Sequence, residues 1–252
     1  MAGRLTGKRA LITGAGGLLG GDIARAFAAE GASLVLSTRS AAKLEPLAAE
    51  LRAKGVAVAC IGCDFTRGEE ADALADAAWA ALDGIDVVLF SSQPANPCQG
   101  ALLELDDAVL FEQQQAIAWG PMRTMRRLAP KMIAAGRGGS IITLTSSTGS
   151  EPTPGYAAYG LAKAALWLAT LHMAREWGVH GIRANALQPG LVATDGDVAR
   201  LEEIVRKQGM LSRTSLNRPG TNAEVVGAAI YLASDESRYT SAQRIACDGG
   251  RV

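Results

Sequence analysis

"RALITGAGGLLGGDIARAF" occupies residues 9–27, and its reading decides the fold. An apolar, β-prone run ends at Thr13, glycines stand at positions 14, 16, 17, 20 and 21, and a helical rhythm of apolar residues continues to about residue 30. A strand that feeds a helix through glycines brings free backbone N–H groups and the positive end of the helix dipole to one point, as a pyrophosphate requires. Glycine suits this turn because backbone must approach the phosphates closely, and some positions need positive φ. A tight β-to-α turn without a ligand would look the same in isolation.

The rest of the chain separates the two readings. Working outward, "SLVLS" (33–37), "VAVAC" (56–60), "DVVLF" (86–90), "SIITLT" (140–145) and "RANAL" (183–187) are short apolar runs. Between them lie helical patterns over residues 42–54, 69–82, 102–135 and 156–177. Strand and helix in alternation predict parallel strands joined by right-handed crossovers, and continuous apolar strands predict a sheet covered on both faces. The expected fold is α/β: a single Rossmann-type doubly wound parallel sheet with helices on both faces, forming one domain over residues 1–252. The glycine turn then sits at the first strand of a dinucleotide-binding pattern.

Composition narrows the function classes. The 252 residues carry 25 Lys+Arg against 25 Asp+Glu and are 48% hydrophobic. A balanced charge gives no field to attract nucleic acid or an anionic membrane, and there is no apolar run of bilayer-spanning length. The basic and apolar opening resembles a signal peptide, but Asp22 and Arg25 follow within a continuing helix, so it reads as the first strand and turn. Cysteines at 60, 63, 98 and 247 are too few and scattered for a disulfide scaffold and fit a reduced, cytoplasmic protein. Cys60 and Cys63 form a CxxC in a strand-like run without a second pair, so strand packing is preferred to a metal site. Neither His172 nor His180 lies at metal-ligand spacing; His172 follows the apolar rhythm and reads as packed or interfacial, as do Trp119, Trp167 and Trp177. No metal is expected.

The second strand ends in "STRS", where an acidic residue would bond the ribose 2′-OH of NAD and an arginine would accommodate the 2′-phosphate of NADP. Thr38, Arg39 and Ser40 without a carboxylate favour NADP(H) over NAD(H); the alternative for Arg39 is a solvated surface arginine. Asp64, with Phe65 beside it, is placed to accept from the adenine amino group or to cap the next helix. Further on, "SSTGSEPTPGYAAYGLAK" (146–163) sets Ser146 at a strand end and puts Tyr159 and Lys163 at i and i+4, on one helix face. A carbonyl that accepts a hydride needs a proton donor within reach; Tyr159 suits that role, and a cation nearby would favour its phenolate.

The glycine turn, Ser146, YxxxK at 159–163, the CD at 63–64, "NALQPGLVATD" from Asn185, and "NRPGTNAEVVGAAIYLASDES" from Asn217 with the terminal "CDGG" together resemble the short-chain dehydrogenase/reductase family over essentially the whole chain. The resemblance implies catalytic Ser146, Tyr159 and Lys163, with Ser146 orienting the substrate oxygen. It implies cofactor contacts from Gly14, Gly17, Leu18, Leu19, Gly20, Thr38, Arg39, Ser40, Asp64, Phe65, Ser91, Ser92, Tyr159, Lys163, Pro189, Gly190, Val192 and Thr194. A small carbonyl or alcohol substrate, a lid over 191–215 and a homotetramer or homodimer follow from the same likeness.

Three positions depart from the family pattern. Leu18 replaces the middle glycine of TGxxxGxG, leaving Gly14, Gly17 and Gly20 as GxxGxxG, the spacing of longer members. Asn-Asn-Ala-Gly after the fourth strand is replaced by Ser91, Ser92, Gln93 and Pro94, and the proline predicts a different loop path. The catalytic asparagine is matched by Ile117, for which Gln113 and Gln114 are the nearest substitutes. These departures keep open a catalytically weak or inactive nucleotide-binding sensor or scaffold of the same fold. Halohydrin dehalogenation, which replaces the lysine with arginine and degrades the glycine loop, is disfavoured by Lys163 and Gly14 to Gly20.

Overall fold

The apolar runs become strands in the computed structural model, which describes residues 3–93, 100–194 and 196–251. The strands are β1 (Arg9–Thr13), β2 (Ser33–Thr38), β3 (Val58–Gly62), β4 (Val87–Phe90), β5 (Gly139–Leu144), β6 (Ile182–Pro189), β7 (Val192–Ala193), β8 (Gly220–Thr221) and β9 (Arg244–Cys247). The helices are α1 (Leu18–Ala29), α2 (Glu45–Ala53), α3 (Gly68–Leu82), α4 (Asp107–Gln114), α5 (Gly120–Ala135), α6 (Ala157–Trp177), α7 (Val198–Lys207) and α8 (Asn222–Ala233). Seven strands form one parallel sheet in the order β3-β2-β1-β4-β5-β6-β9, and β7 pairs with β8 separately. This is the Rossmann-like, doubly wound arrangement. The chain winds outward from β1 to β3, then crosses back to β4, so loops leave β1 and β4 in opposite directions and open a crevice between them.

Strand pleat divides the interior in two. Ala10 and Ile12 of β1, Leu34 and Leu36 of β2, and Val87 and Leu89 of β4 pack with α1, α2 and α8. Their neighbours Leu11, Val35, Val88 and Phe90 pack with α3, α5 and α6 on the opposite face. Each fully buried aliphatic side chain contributes about 1.5–3 kcal/mol relative to exposure, so both faces of the sheet stabilise the fold.

Three elements differ from the sequence reading. The helical pattern over 102–135 is broken: Asp106 caps α4 by accepting from the Ala108 N–H at 2.8 Å, and a π-helical turn, Gln115–Trp119, separates α4 from α5. Pro121 cannot donate to the carbonyl four residues back, so the α-helical ladder is interrupted at this turn. β3 lies two residues later than "VAVAC", and β9 adds a strand after β6 that is half-exposed along its length, so "RIAC" carries no continuous apolar run. His172 is not packed: its side chain is exposed and its Nδ1 lies 3.2 Å from Glu176 Oε1, because the buried face of α6 runs through Ala169, Thr170, Met173 and Ala174. Trp119 is exposed, whereas Trp177 packs against the α3–α5–α6 core and Trp167 lies 5.7 Å from the Arg244 guanidinium.

Two glycines in helices make opposite demands. A Cβ on Gly120 would lie 2.5 Å from Phe65 Cβ, whereas one on Gly227 would meet nothing within 4 Å. In urea unfolding, Gly120→Ala is expected to lose about 1–3 kcal/mol from overpacking, and Gly227→Ala to gain about 0.5–1 kcal/mol from helix propensity.

Candidate active site

A cleft of about 810 Å³ opens at the carboxyl ends of the strands. Gly14 follows β1 with φ of +68°, and a Cβ there would lie 2.7 Å from the Ser91 carbonyl, so the β1 and β4 loops meet backbone to backbone. Ser91 N–H also donates to Thr13 Oγ1 at 3.3 Å. Gly17 is the N-cap of α1; no side chain caps this end and no acidic residue occupies its first turn. The amides of the turn therefore remain available to an anion, and Gly14, Gly17, Leu18, Leu19 and Gly20 all border the cleft. These features fit a dinucleotide pyrophosphate.

Thr38, Arg39 and Ser40 border one end of the cleft, and Arg39 is exposed there. Lys43, on the one-turn helix Ala41–Leu44, adds a second cation at this end. The only signal for it in the sequence was a basic residue four positions after Arg39. Asp64 and Phe65 border the cleft beside them. Asp64 Oδ1 accepts from Thr66 N–H at 3.0 Å and from Thr66 Oγ1 at 2.8 Å, which holds the β3–α3 turn; burial opposes ionisation of Asp64, but these hydrogen bonds hold its carboxyl below the usual range.

At the other end Ser146, Tyr159 and Lys163 border the same space, brought from the end of β5 and the first turns of α6. Gly160 lets α6 seat on this loop, since a Cβ there would lie 2.6 Å from the Thr148 carbonyl. Ser146 Oγ accepts from Thr148 N–H at 3.3 Å and from Thr148 Oγ1 at 2.9 Å, so both lone pairs are engaged and its own hydrogen is left to donate. Lys163 is buried, and its Nζ donates to the Leu144 carbonyl at 2.6 Å and lies 5.4 Å from the Tyr159 ring centre. Burial pulls the lysine down to about 7 and pushes the Tyr159 hydroxyl up to about 12, with Ser146 acting weakly against the latter. The phenolate expected from a neighbouring cation is thus not the resting state. Burial is the largest cause of that rise, and Tyr159 rests as a neutral phenol that donates to Gln93 Oε1 at 3.3 Å.

Ser91, Ser92, Pro189, Gly190 and Val192 border the middle of the cleft, but Thr194 does not; its hydroxyl donates to Asp197 Oδ2 at 2.8 Å. Gln113 is buried, and neither it nor Gln114 borders the cleft. The helix face turned to the cleft carries Glu112 and Ala116, one α-turn apart, while Ile117, the match to the asparagine, is buried against Tyr159, Ala162 and Leu166. Gln93, Glu112 and Lys43 are cleft residues that the sequence reading assigned no role. Pro94, Cys98 and the loop between them lie outside the described residues. Burial pushes the Cys63 thiol up to about 12, and no cluster among the described residues could hold a metal ion. A second depression of about 760 Å³ lies at the opposite sheet edge, where Arg9 and Arg137 pair with Asp86. Among the described residues, no helix is long and apolar enough to cross a membrane.

Residues 14–251 match a family profile described as enoyl-(acyl carrier protein) reductase. The chain is 36% identical over 250 residues to galactitol 2-dehydrogenase (L-tagatose-forming) of Cereibacter sphaeroides, covering 98% of this chain and 96% of that protein. Its structure is similar to that of a gluconate 5-dehydrogenase from Burkholderia cenocepacia J2315 in complex with NADP and tartrate, with a TM-score of 0.89, 30% identity and coverage of 98% and 96% of the two chains. It is likewise similar to a 7α-hydroxysteroid dehydrogenase complexed with NADH and 7-oxo glycochenodeoxycholic acid, with a TM-score of 0.88, 30% identity and coverage of 99% and 96%.

The buried lysine has a consequence for stability. Between about pH 7 and its unfolded value of 10.5, the unfolded chain holds a proton on Lys163 that the folded chain has lost, so the stability contributed at this position rises with pH. Thermal unfolding of the wild type and Lys163→Met is expected to show the wild type gaining several degrees on the variant between about pH 7 and pH 9.5. A pH-independent difference would contradict a neutral buried lysine.

Proposed function

Because the chain belongs to the short-chain dehydrogenase/reductase family of NAD(P)-dependent oxidoreductases, we propose that it interconverts a ketone and a secondary alcohol, with Tyr159 as proton donor and acceptor and NADP(H) preferred. The convergence of Ser146, Tyr159 and Lys163 at one end of the phosphate-loop cleft carries this reading.

Hydride supply or uptake at the carbonyl carbon is the chemistry that a bound nicotinamide dinucleotide contributes. The chain's own residues do the rest. The α1 amides hold the pyrophosphate, Arg39 and Lys43 hold the 2′-phosphate, and Asp64 and Phe65 frame the adenine. Ser91, Ser92, Pro189, Gly190 and Val192 line the central part, with Thr194 nearby. Ser146 donates its single free hydrogen to the substrate oxygen and shares the charge that develops there. Tyr159, a neutral phenol at rest, gives its proton to that oxygen during reduction and takes one back during oxidation. Lys163, fixed to the Leu144 carbonyl, is held beside the tyrosine ring where it can relay the proton outward.

We read residues 1–252 as one domain whose segment 191–215, containing β7 and α7, covers the substrate. The exposed Phe111, Trp119, Leu161 and Leu168 on the α4-to-α5 and α6 segments support self-association as a homodimer or homotetramer. A cofactor-binding protein without turnover is the second reading, favoured by Ile117, whose side chain cannot hydrogen-bond.

The test is a fluorescence titration with NADPH and NADH, followed by ketone turnover. Arg39→Asp is expected to weaken NADPH binding about ten- to a hundredfold, the worth of one charged hydrogen bond, with little effect on NADH. Tyr159→Phe is expected to bind NADPH normally and to lose about a hundred- to ten-thousandfold in kcat. Tight binding without turnover of any carbonyl by the wild type would select the second reading.

A further inference from the structure

The resting partner of the Tyr159 hydroxyl is a side chain in the substrate end of the cleft. Gln93, on the loop after β4, borders this space and takes the phenol hydrogen on its Oε1 at 3.3 Å. Its Nε2 has no hydrogen-bond partner among the described residues. A phenol has one hydrogen to give. A substrate oxygen that receives it must displace the Gln93 carbonyl, leaving an amide with one acceptor and two donors beside the reacting oxygen. An amide stranded against a substrate carbon loses hydrogen bonds that water supplied before binding, whereas one that meets a hydroxyl recovers them. A hydroxyl on the carbon next to a carbonyl lies within hydrogen-bond distance of the carbonyl oxygen, the same separation that divides Gln93 from the tyrosine oxygen. It can donate to Oε1 or accept from Nε2.

We propose that Gln93 reads a hydroxyl on the carbon adjacent to the reacting carbonyl, so that the preferred substrates are vicinal hydroxy ketones and the matching diols or polyols. This rests on the oxidoreductase reading above. In reduction a hydride adds to the carbonyl carbon, the Tyr159 proton goes to its oxygen, and the adjacent hydroxyl is unchanged. Gln93 is a specificity residue, which binds the second oxygen and leaves proton transfer to Tyr159.

The experiment compares acetoin with butanone as substrates of the purified full-length protein with NADPH, in the wild type, Gln93→Met and Gln93→Ala, with NADPH affinity measured separately by fluorescence. Methionine keeps the length of glutamine without its hydrogen bonds. The wild type is expected to favour acetoin in kcat/KM by about five- to tenfold, the worth of one net hydrogen bond. Both variants are expected to bring the two ketones within about threefold of each other, through lost acetoin turnover and a raised acetoin KM, while binding NADPH within about threefold of wild type. Equal use of the two ketones by the wild type, or turnover of neither with NADPH bound, overturns the substrate class. A preference that survives in both variants overturns the part given to Gln93. Absence of NADPH binding by the wild type would instead overturn the cofactor reading beneath the proposal.

Discussion

The architecture of the cleft depends on one close approach. Gly14 sits at positive φ, with the Ser91 backbone where a side chain would have to be. That contact brings the end of β1 against the end of β4 at the point where the sheet changes winding direction, and every other cleft residue is placed relative to it. α1 begins from the β1 loop with its amides uncovered. The β4 loop carries Ser91, Ser92 and Gln93 across the same space toward Tyr159. A parallel sheet puts all these loops on one edge because every crossover returns to the same end.

Where Ser146, Tyr159 and Lys163 meet, desolvation controls the site. Lys163 is buried and anchored to a strand carbonyl, and Tyr159 is buried beside it, so each is driven toward its neutral form. The resting pair is therefore a phenol and a lysine poised near neutrality. Direct transfer of the tyrosine proton to that lysine is uphill in the resting cleft. Thr148 completes the arrangement by occupying the lone pairs of Ser146, which leaves that hydroxyl a donor.

The π-helical turn Gln115–Trp119 links fold and site in a way that spacing alone does not. It contains Ala116, which lines the cleft with Glu112, and Ile117, which turns inward with Gln113. Counting back from Pro130 and Gly120 identified position 117, but assigning Gln113 and Gln114 as its substitutes assumed that helical neighbours share the cleft. Neither glutamine borders it, and Gln113 shares the buried face of Ile117 four residues on. Gln93 was seen as a departure after the fourth strand, but its contact with Tyr159 was not: a loop crosses to a helix 66 residues away in sequence, and no local pattern encodes that distance.

The order of apolar runs and helical rhythms, the glycine turn after β1 and the spacing of Tyr159 and Lys163 on α6 were determined by the sequence alone. Each is a short-range property of strand pleat, helix pitch or glycine freedom. β9 was missed because an edge strand exposes alternate residues and loses the continuous apolar run that marked the others. Only the tertiary structure decided which side chains share the cleft, that the tyrosine rests protonated, and that Gln93 is its partner. Those outcomes depend on burial and on long-range contacts, and desolvation acts on a group only after distant parts of the chain have closed around it.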